Sequence, residues 1–318
     1  MHALSPPQRH AAWSLRIQEA EYSALLPTLA RIPTALGYAV ARWRGRFNAR
    51  FDRDWVSLAL GHRHVADLSA AGYAEFLPPP RVAAAVVERF ETASREEYES
   101  RLLERRGLGA FRVDAGAALS QLAARPRDRG LVLVTSHYET FILGIAALAS
   151  RGERIHPMMS TISADPRLTH GVRNHFVAKY AGLERHLSGG RLANAENSMR
   201  HLYRVLRDRE IVVVIADAPG TMDAGVPVPW FNGRRWMAQG ALRLAQATGS
   251  AMAAFMCTHQ SGVCHEVKLS EVESEVDGLR GLQAYNRLYA FMERHIRGRP
   301  GRWWASHLLT SCPKEHGN

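Results

Sequence analysis

The sequence predicts an α/β fold: a mixed, mostly parallel sheet flanked by helices, with an N-terminal helical section laid against it. Three observations carry this. Leu131–Thr135 (LVLVT) and Ile211–Ala216 (IVVVIA) are bare apolar runs without alternation, the composition of parallel strands buried on both faces. Each run neighbours a segment of helical periodicity, and strands alternating with helices build a parallel sheet. The first 110 residues, by contrast, carry helical patterns only.

In chain order, residues 24–43 (ALLPTLARIPTALGYAVARW) are mostly apolar, interrupted by Arg31 and two prolines. Arg42, Arg44, Arg46 and Arg50 follow, with Trp43 and Trp55 beside them. Two readings stay open: a membrane-interface segment, or a kinked helix packed on the domain. Pro78-Pro79-Pro80 stops one segment, and Arg81–Arg106 repeats apolar residues (Val82, Ala85, Val86, Phe90, Ala93, Leu102) near a 3.6 period. Thr140–Ser150 reads as an apolar helix ending before Arg151-Gly152. Asn194–Arg209 reads as an amphipathic helix with Met199, Leu202, Val205 and Leu206 inward. A Gly/Pro-rich loop covers Ala218–Arg235, and Trp236–Thr248 reads as a helix stopped at Gly249. Ala251–Cys257 and Val263–Leu269 form a hairpin turning at Gln260–Gly262, and Asp277–Arg297 is a long helix ended by Gly298 and Pro300. No linker-like stretch stands out. The expectation is therefore one domain over 1–318, with 1–110 mainly helical and membrane-proximal and 111–318 the α/β core.

Composition narrows the function. With 46% hydrophobic and 22% charged residues, the 318-residue chain can bury a full core. Lys+Arg number 41 against 30 Asp+Glu, a formal charge of +11 that draws anionic partners such as phospholipid headgroups or an acidic carrier protein. The arginines are dispersed and accompany no zinc-finger spacing or aromatic RNA-binding block, which disfavours nucleic acid. Three cysteines, Cys257, Cys264 and Cys312, do not suggest a disulfide framework. Cys257, His259, Cys264 and His265 match no common zinc-ligand spacing, so the hairpin is preferred to a metal site. Met1–Gln18 lacks the apolar core of a secretory signal, and no apolar run reaches 18 residues.

Two chemically useful residues stand at the carboxyl ends of the apolar strands: His137 after LVLVT and Asp217 after IVVVIA. Ligands of open α/β sheets collect at that edge. A histidine there can accept a proton from an acceptor hydroxyl near neutral pH, as acyl transfer requires. From position alone, a histidine that caps the next helix is the preferred explanation.

The motifs shift that balance. Ser136-His137-Tyr138-Glu139-Thr140-Phe141-Ile142-Leu143-Gly144 resembles the active-site segment of the lipid A late acyltransferases, a branch of the lysophospholipid acyltransferase superfamily. IVVVIADAPG (211–220), VPVPWFNG (226–233), GALRLAQATGSAMAAF (240–255) and RPGRWWASH (299–307) are similar, in the same order, to that family's later segments. The likeness runs from about residue 20 to 312.

The resemblance implies a fatty acyl transfer to a hydroxyl or amine of a lipid-like acceptor, with His137 as general base and no metal or redox cofactor. It also implies a carboxylate five residues after the histidine, where this chain has Ile142. Glu139, two residues after His137, is the candidate replacement; a helix N-terminal carboxylate is its alternative role. Asp217 matches the family's strand-end aspartate near the pocket. Arg185 matches its pocket arginine, for a phosphate or a phosphopantetheine, with Arg173 a weaker competitor. Backbone N–H groups at the start of the Thr140 helix, aided by Arg185, would meet the oxyanion. Acyl carrier protein or acyl-CoA is the implied donor, a lipid or glycolipid the acceptor, and an anionic membrane surface the setting. The implied location is peripheral, on the cytoplasmic face of the inner membrane. The rival is a non-catalytic relative that binds a lipid or an acyl carrier, which Ile142 favours.

Overall fold

The computed structural model describes residues 12–160, 162–194 and 196–315. Of the Met1–Gln18 segment, residues 1–11 therefore lie outside the described residues. The chain begins with helices α1 (Ala12–Ala20), α2 (Leu26–Leu29), α3 (Thr34–Phe51), α4 (Trp55–Leu60), α5 (Val65–Ala74) and α6 (Pro79–Arg106), a π-helical turn at Glu21–Leu25 joining α1 to α2. Proline in its first turn suits α6, because an N-terminal N–H lacks a helical partner anyway. Arg105 and Arg106 complement the dipole at its other end, and Gly107 takes φ +72° there. Helix α3 lies close along α6: a Cβ on Gly45 would stand 2.5 Å from Glu91 Cα, so only glycine fits.

Buried ion pairs bind this helical section together. Arg44 reaches Glu21 and Glu97, Arg53 reaches Glu21 at 3.0 Å, and Arg89 reaches Asp54 at 2.5 Å. Arg44 thus leaves the surface basic cluster in which the sequence groups it. A guanidinium in the interior needs carboxylate partners, and two are supplied.

The sheet strands are β1 (Arg112–Asp114), β2 (Leu131–Thr135), β3 (Ile155–Met159), β4 (Ala193–Asn194) and β5 (Ile211–Ile215), then, after the separate pair β6 (Gly225–Pro229) and β7 (Arg234–Ala238), β8 (Ala251–Ser261) and β9 (Cys264–Leu269). Their order is β1-β9-β8-β2-β5-β3-β4, parallel throughout except for the β8–β9 hairpin. Helices α7 (Gly116–Ala123), α8 (Phe141–Ala149), α9 (His170–Glu184), α10 (Met199–Arg207), α11 (Gly240–Thr248) and α12 (Gly278–Gly298) complete the fold. The period-2 alternation of the strands divides the core. Leu131, Leu133, Ile211, Val213 and Phe255 pack towards α8 and the N-terminal helices, whereas Val132, Val134, Val212, Val214 and Met256 pack towards α10, α11 and α12.

The expected α/β class, helical N-terminal section and mostly parallel sheet are all present. Locally the structure corrects several expectations. Part of the expected loop 218–235 is the β6–β7 hairpin, whose Pro227 and Pro229 argue against a strand in sequence. The expected helix from Trp236 starts at Gly240, since Trp236–Ala238 pair with Gly225–Pro227. Met199 is exposed, not inward. No described helix is long and apolar enough to cross a membrane.

Candidate active site

Strands β2 and β5 are neighbours in register, Leu131 facing Ile211 and Thr135 facing Ile215. Continuing that register two residues beyond each strand sets His137 against Asp217. The Asp217 carboxylate accepts from the His137 ring Nδ1 at 2.7 Å and from the His137 backbone N–H at 2.8 Å. Trp303 donates its indole N–H to the same carboxylate at 2.7 Å. Asp217 is 1% exposed. Burial alone would raise its pKa, but the His137 charge and these three hydrogen bonds outweigh it and hold the carboxyl below its ordinary value. With Nδ1–H given to Asp217, Nε2 is the basic nitrogen, and the His137 side chain is 25% exposed.

The tail clamps the turn that carries His137. Trp304 donates its backbone N–H to the His137 carbonyl and its indole N–H to the Glu139 carbonyl, both at 3.1 Å. Its ring meets the imidazole edge-on at 4.7 Å. Glu139 itself sits at φ +47°, a left-handed conformation that a glutamate rarely adopts. Its buried carboxylate is tied down by Arg95 at 2.9 Å, Arg302 at 2.7 Å and the His259 backbone N–H at 2.7 Å. Burial pushes this carboxyl above its ordinary value, against the opposing pull of Arg95 and Arg302.

His137 opens on a cavity of about 150 Å³. Its walls include Trp55, Phe141, Phe176, Tyr180 and Trp304, and its charged lining groups are Asp54, Glu96, Glu97 and Lys179, beside the histidines His137 and His175. Asp54 is neutralised by Arg89, Glu97 by Arg44 and Glu96 by Lys179. The arrangement offers a candidate base, a carboxylate that orients it, and a small cavity with five aromatic walls beside it.

Against the sequence-based expectations, the structure joins His137 to Asp217 and not to Glu139. The carboxylate on the imidazole comes from the neighbouring strand, while two guanidinium groups hold Glu139 elsewhere. Ile142, where the resemblance expects an acid, is fully buried in the apolar core. Arg185 is exposed at the end of α9, donates to the Glu104 carbonyl and does not line the cavity. Arg173 bonds the carbonyls of Pro166 and Leu168. His265 pairs with Glu99, and His259 bonds the Gly262 carbonyl, so both serve the hairpin region. Sequence inspection misses Lys179 and Glu96, whose helical positions look like any ion pair. It also misses the roles of Trp303 and Trp304, although RPGRWWASH marks that segment.

The family model described as bacterial lipid A biosynthesis acyltransferase matches residues 83–308 of this chain, more than two thirds of its length. No curated protein matches it.

Proposed function

The chain belongs to the bacterial lipid A biosynthesis acyltransferase family and is an acyltransferase, and from that premise we propose a donor, an acceptor and a set of catalytic residues. The donor is a fatty acyl thioester on an acyl carrier, and the acceptor a hydroxyl or amine of a glycolipid. His137 is the general base, and Asp217 is its orienting carboxylate in place of an acid at Ile142. The observation that carries this proposal is the His137 Nδ1 to Asp217 bond, with His137 in the lining of the cavity.

His137 Nε2 takes the acceptor proton as the oxygen attacks the thioester carbonyl carbon. The carbonyl π electrons move to oxygen, and collapse of the tetrahedral intermediate expels the thiolate, which takes the proton back from the imidazolium. Asp217 stabilises that imidazolium, the role of the acid in a Ser-His-Asp triad. Transfer is direct, since no serine or cysteine is hydrogen-bonded to His137 among the described residues. The +11 charge suits an acidic carrier protein and an anionic membrane face.

A peripheral seat on the cytoplasmic face of the inner membrane belongs to the same proposal. Leu36 and Trp43 (64% exposed) form a stripe along α3 with Phe47, flanked by exposed Arg42, Arg46 and Arg50. Such a face suits an anionic bilayer surface. The N-terminal helices and the α/β core work as one unit over 1–318 in this account, because Asp54, Trp55 and Glu97 line the same cavity as His137. The test is incubation of the purified protein with carrier-bound and CoA-bound acyl thioesters and a panel of glycolipids, read by mass spectrometry. An acylated glycolipid with released thiol is expected. Binding of both partners without any transfer would replace this proposal by the non-catalytic reading that Ile142 favours.

A further inference from the structure

Among the described residues Lys179 is the one lysine or arginine lining the His137 cavity, and it is 4% exposed. It extends from α9, and its ammonium stands 2.5 Å from Glu96 of α6. Glu96 faces one side of a group that carries three donors. Among the described residues no other oxygen bonds this ammonium; its remaining surroundings are rings, Phe141 at 5.6 Å, Phe176 at 5.8 Å and Trp304 at 5.9 Å. Two of those rings also flank the base: the His137 imidazole lies 5.9 Å from Phe141 and 4.7 Å from Trp304. Base and cation therefore share a wall of the same small chamber. One turn earlier on α9, His175 lines the cavity too. Burial, then the charges of Arg101 and Lys179, keep it well below its ordinary pKa, so it supplies no competing positive charge.

We propose that Lys179 is the cation that meets the oxyanion of the tetrahedral intermediate in the acyl transfer, an inference that rests on His137 acting as base. When the acceptor oxygen bonds to the thioester carbon, the carbonyl electron pair moves to oxygen and places a negative charge in the chamber. Lys179 donates an N–H to that oxygen. As the C–S bond breaks, the pair returns to the carbonyl and the thiolate takes the proton held by His137. An ammonium fixed in advance among aromatic faces is worth more there than in water, because little solvent screens it and it need not reorganise. Glu96 has a positioning role: it offsets the desolvation of the ammonium and sets its direction. A structural ion pair alone accounts for the burial of both charges but not for their place in the wall beside the base.

The experiment measures kcat and donor KM for wild type, Lys179→Met and the double variant Lys179→Met/Glu96→Gln, with His137→Ala as a control. The double variant leaves no buried unpaired charge, and thermal unfolding checks its fold. The expected result is a kcat lower by about 10²–10³-fold in both lysine variants, with KM within about threefold. A folded double variant turning over within about fivefold of wild type would overturn the proposal, leaving Lys179 a structural partner. So would a loss confined to KM, which would assign Lys179 to ground-state binding. If the double variant does not fold, Lys179→Arg decides: turnover well above Lys179→Met supports the cation, and an equal loss overturns it. A wild type without transfer, or one indifferent to His137→Ala, fails the functional proposal itself. A His137-dependent wild type matched by the double variant fails only this inference.

Discussion

Replacing Asp217 by asparagine removes one charge and one acceptor at nearly constant volume, and its effect follows from three hydrogen bonds. One carboxylate oxygen accepts from His137 Nδ1, and the other accepts from the His137 backbone N–H and the Trp303 indole. Asparagine has one oxygen for these two groups of donors. If its oxygen stays with the backbone and indole N–H groups, its amide faces Nδ1, and the imidazole must shift its proton to Nε2. That tautomer cannot accept a proton from the acceptor. The same substitution in a Ser-His-Asp triad lowers kcat by about 10⁴-fold, and a loss of about 10³–10⁴-fold is expected here. If the amide turns the other way, two buried donors lose their acceptor, which costs about 1–3 kcal/mol of stability. Asp217 titrates below its ordinary value in the fold, so its contribution is present above the unfolded pKa and fades as pH falls through the folded one. Asparagine should abolish that part of the acid sensitivity. The assay is thiol release at saturating substrates, with thermal unfolding across pH 3–7 alongside. A folded Asp217→Asn enzyme within threefold of wild-type kcat would refute the orienting role. A raised KM at unchanged kcat would instead make Asp217 the substrate contact that the sequence resemblance implies.

Other outcomes follow from the surrounding structure. Burial alone would raise the Glu99 carboxyl, but His265 and Arg95 depress it to about 2 from 4.5, worth about 3 kcal/mol at about 1.4 kcal/mol per unit. That stability is present above pH 4.5 and lost towards pH 2, so Glu99→Gln should lower Tm at pH 7 and flatten the acid limb; an unchanged Tm would contradict the pairing. Ile142→Glu places a carboxylate in a sealed apolar core and should destabilise by several kcal/mol without raising turnover, because Asp217 already occupies Nδ1; a gain in turnover would show that an acid is missing. Trp43→Ser with Arg46→Gln should weaken binding to anionic vesicles at least tenfold in a flotation assay and leave the fold intact, since both side chains are exposed and Arg42 still faces Glu91; undiminished binding would move the membrane contact elsewhere.

Much of the architecture is legible in the sequence because bare β-branched runs have few alternatives. Leu131–Thr135 matches its strand, and Ile211–Ala216 and the α6 helix match to within a residue or two. Strand β3 is hidden by His156 and Pro157, and β6 by Pro227 and Pro229, residues acceptable in short or edge pairings that composition alone argues against. At the site, His137 and Asp217 are visible separately as strand-end residues. Their pairing depends on β2 and β5 being neighbours in register across 80 residues, which no local pattern encodes. Glu139 looks like the partner because it is close in sequence. The left-handed turn at that residue and the arginines from α6 and the tail decide otherwise. Arg44 illustrates the same limit, since four nearby arginines read as one surface cluster until one of them meets Glu21 and Glu97 inside.

His137, held by Asp217, removes the acceptor proton during the acyl transfer proposed above. The single-turnover rate of acyl transfer from a carrier thioester to a glycolipid acceptor, for wild type and His137→Ala at equal folded concentration, tests that role. A His137-dependent product is expected, with the variant slower by about 10²–10⁴-fold while its unfolding curve matches wild type. Equal rates in the two proteins would rule out His137 as the base.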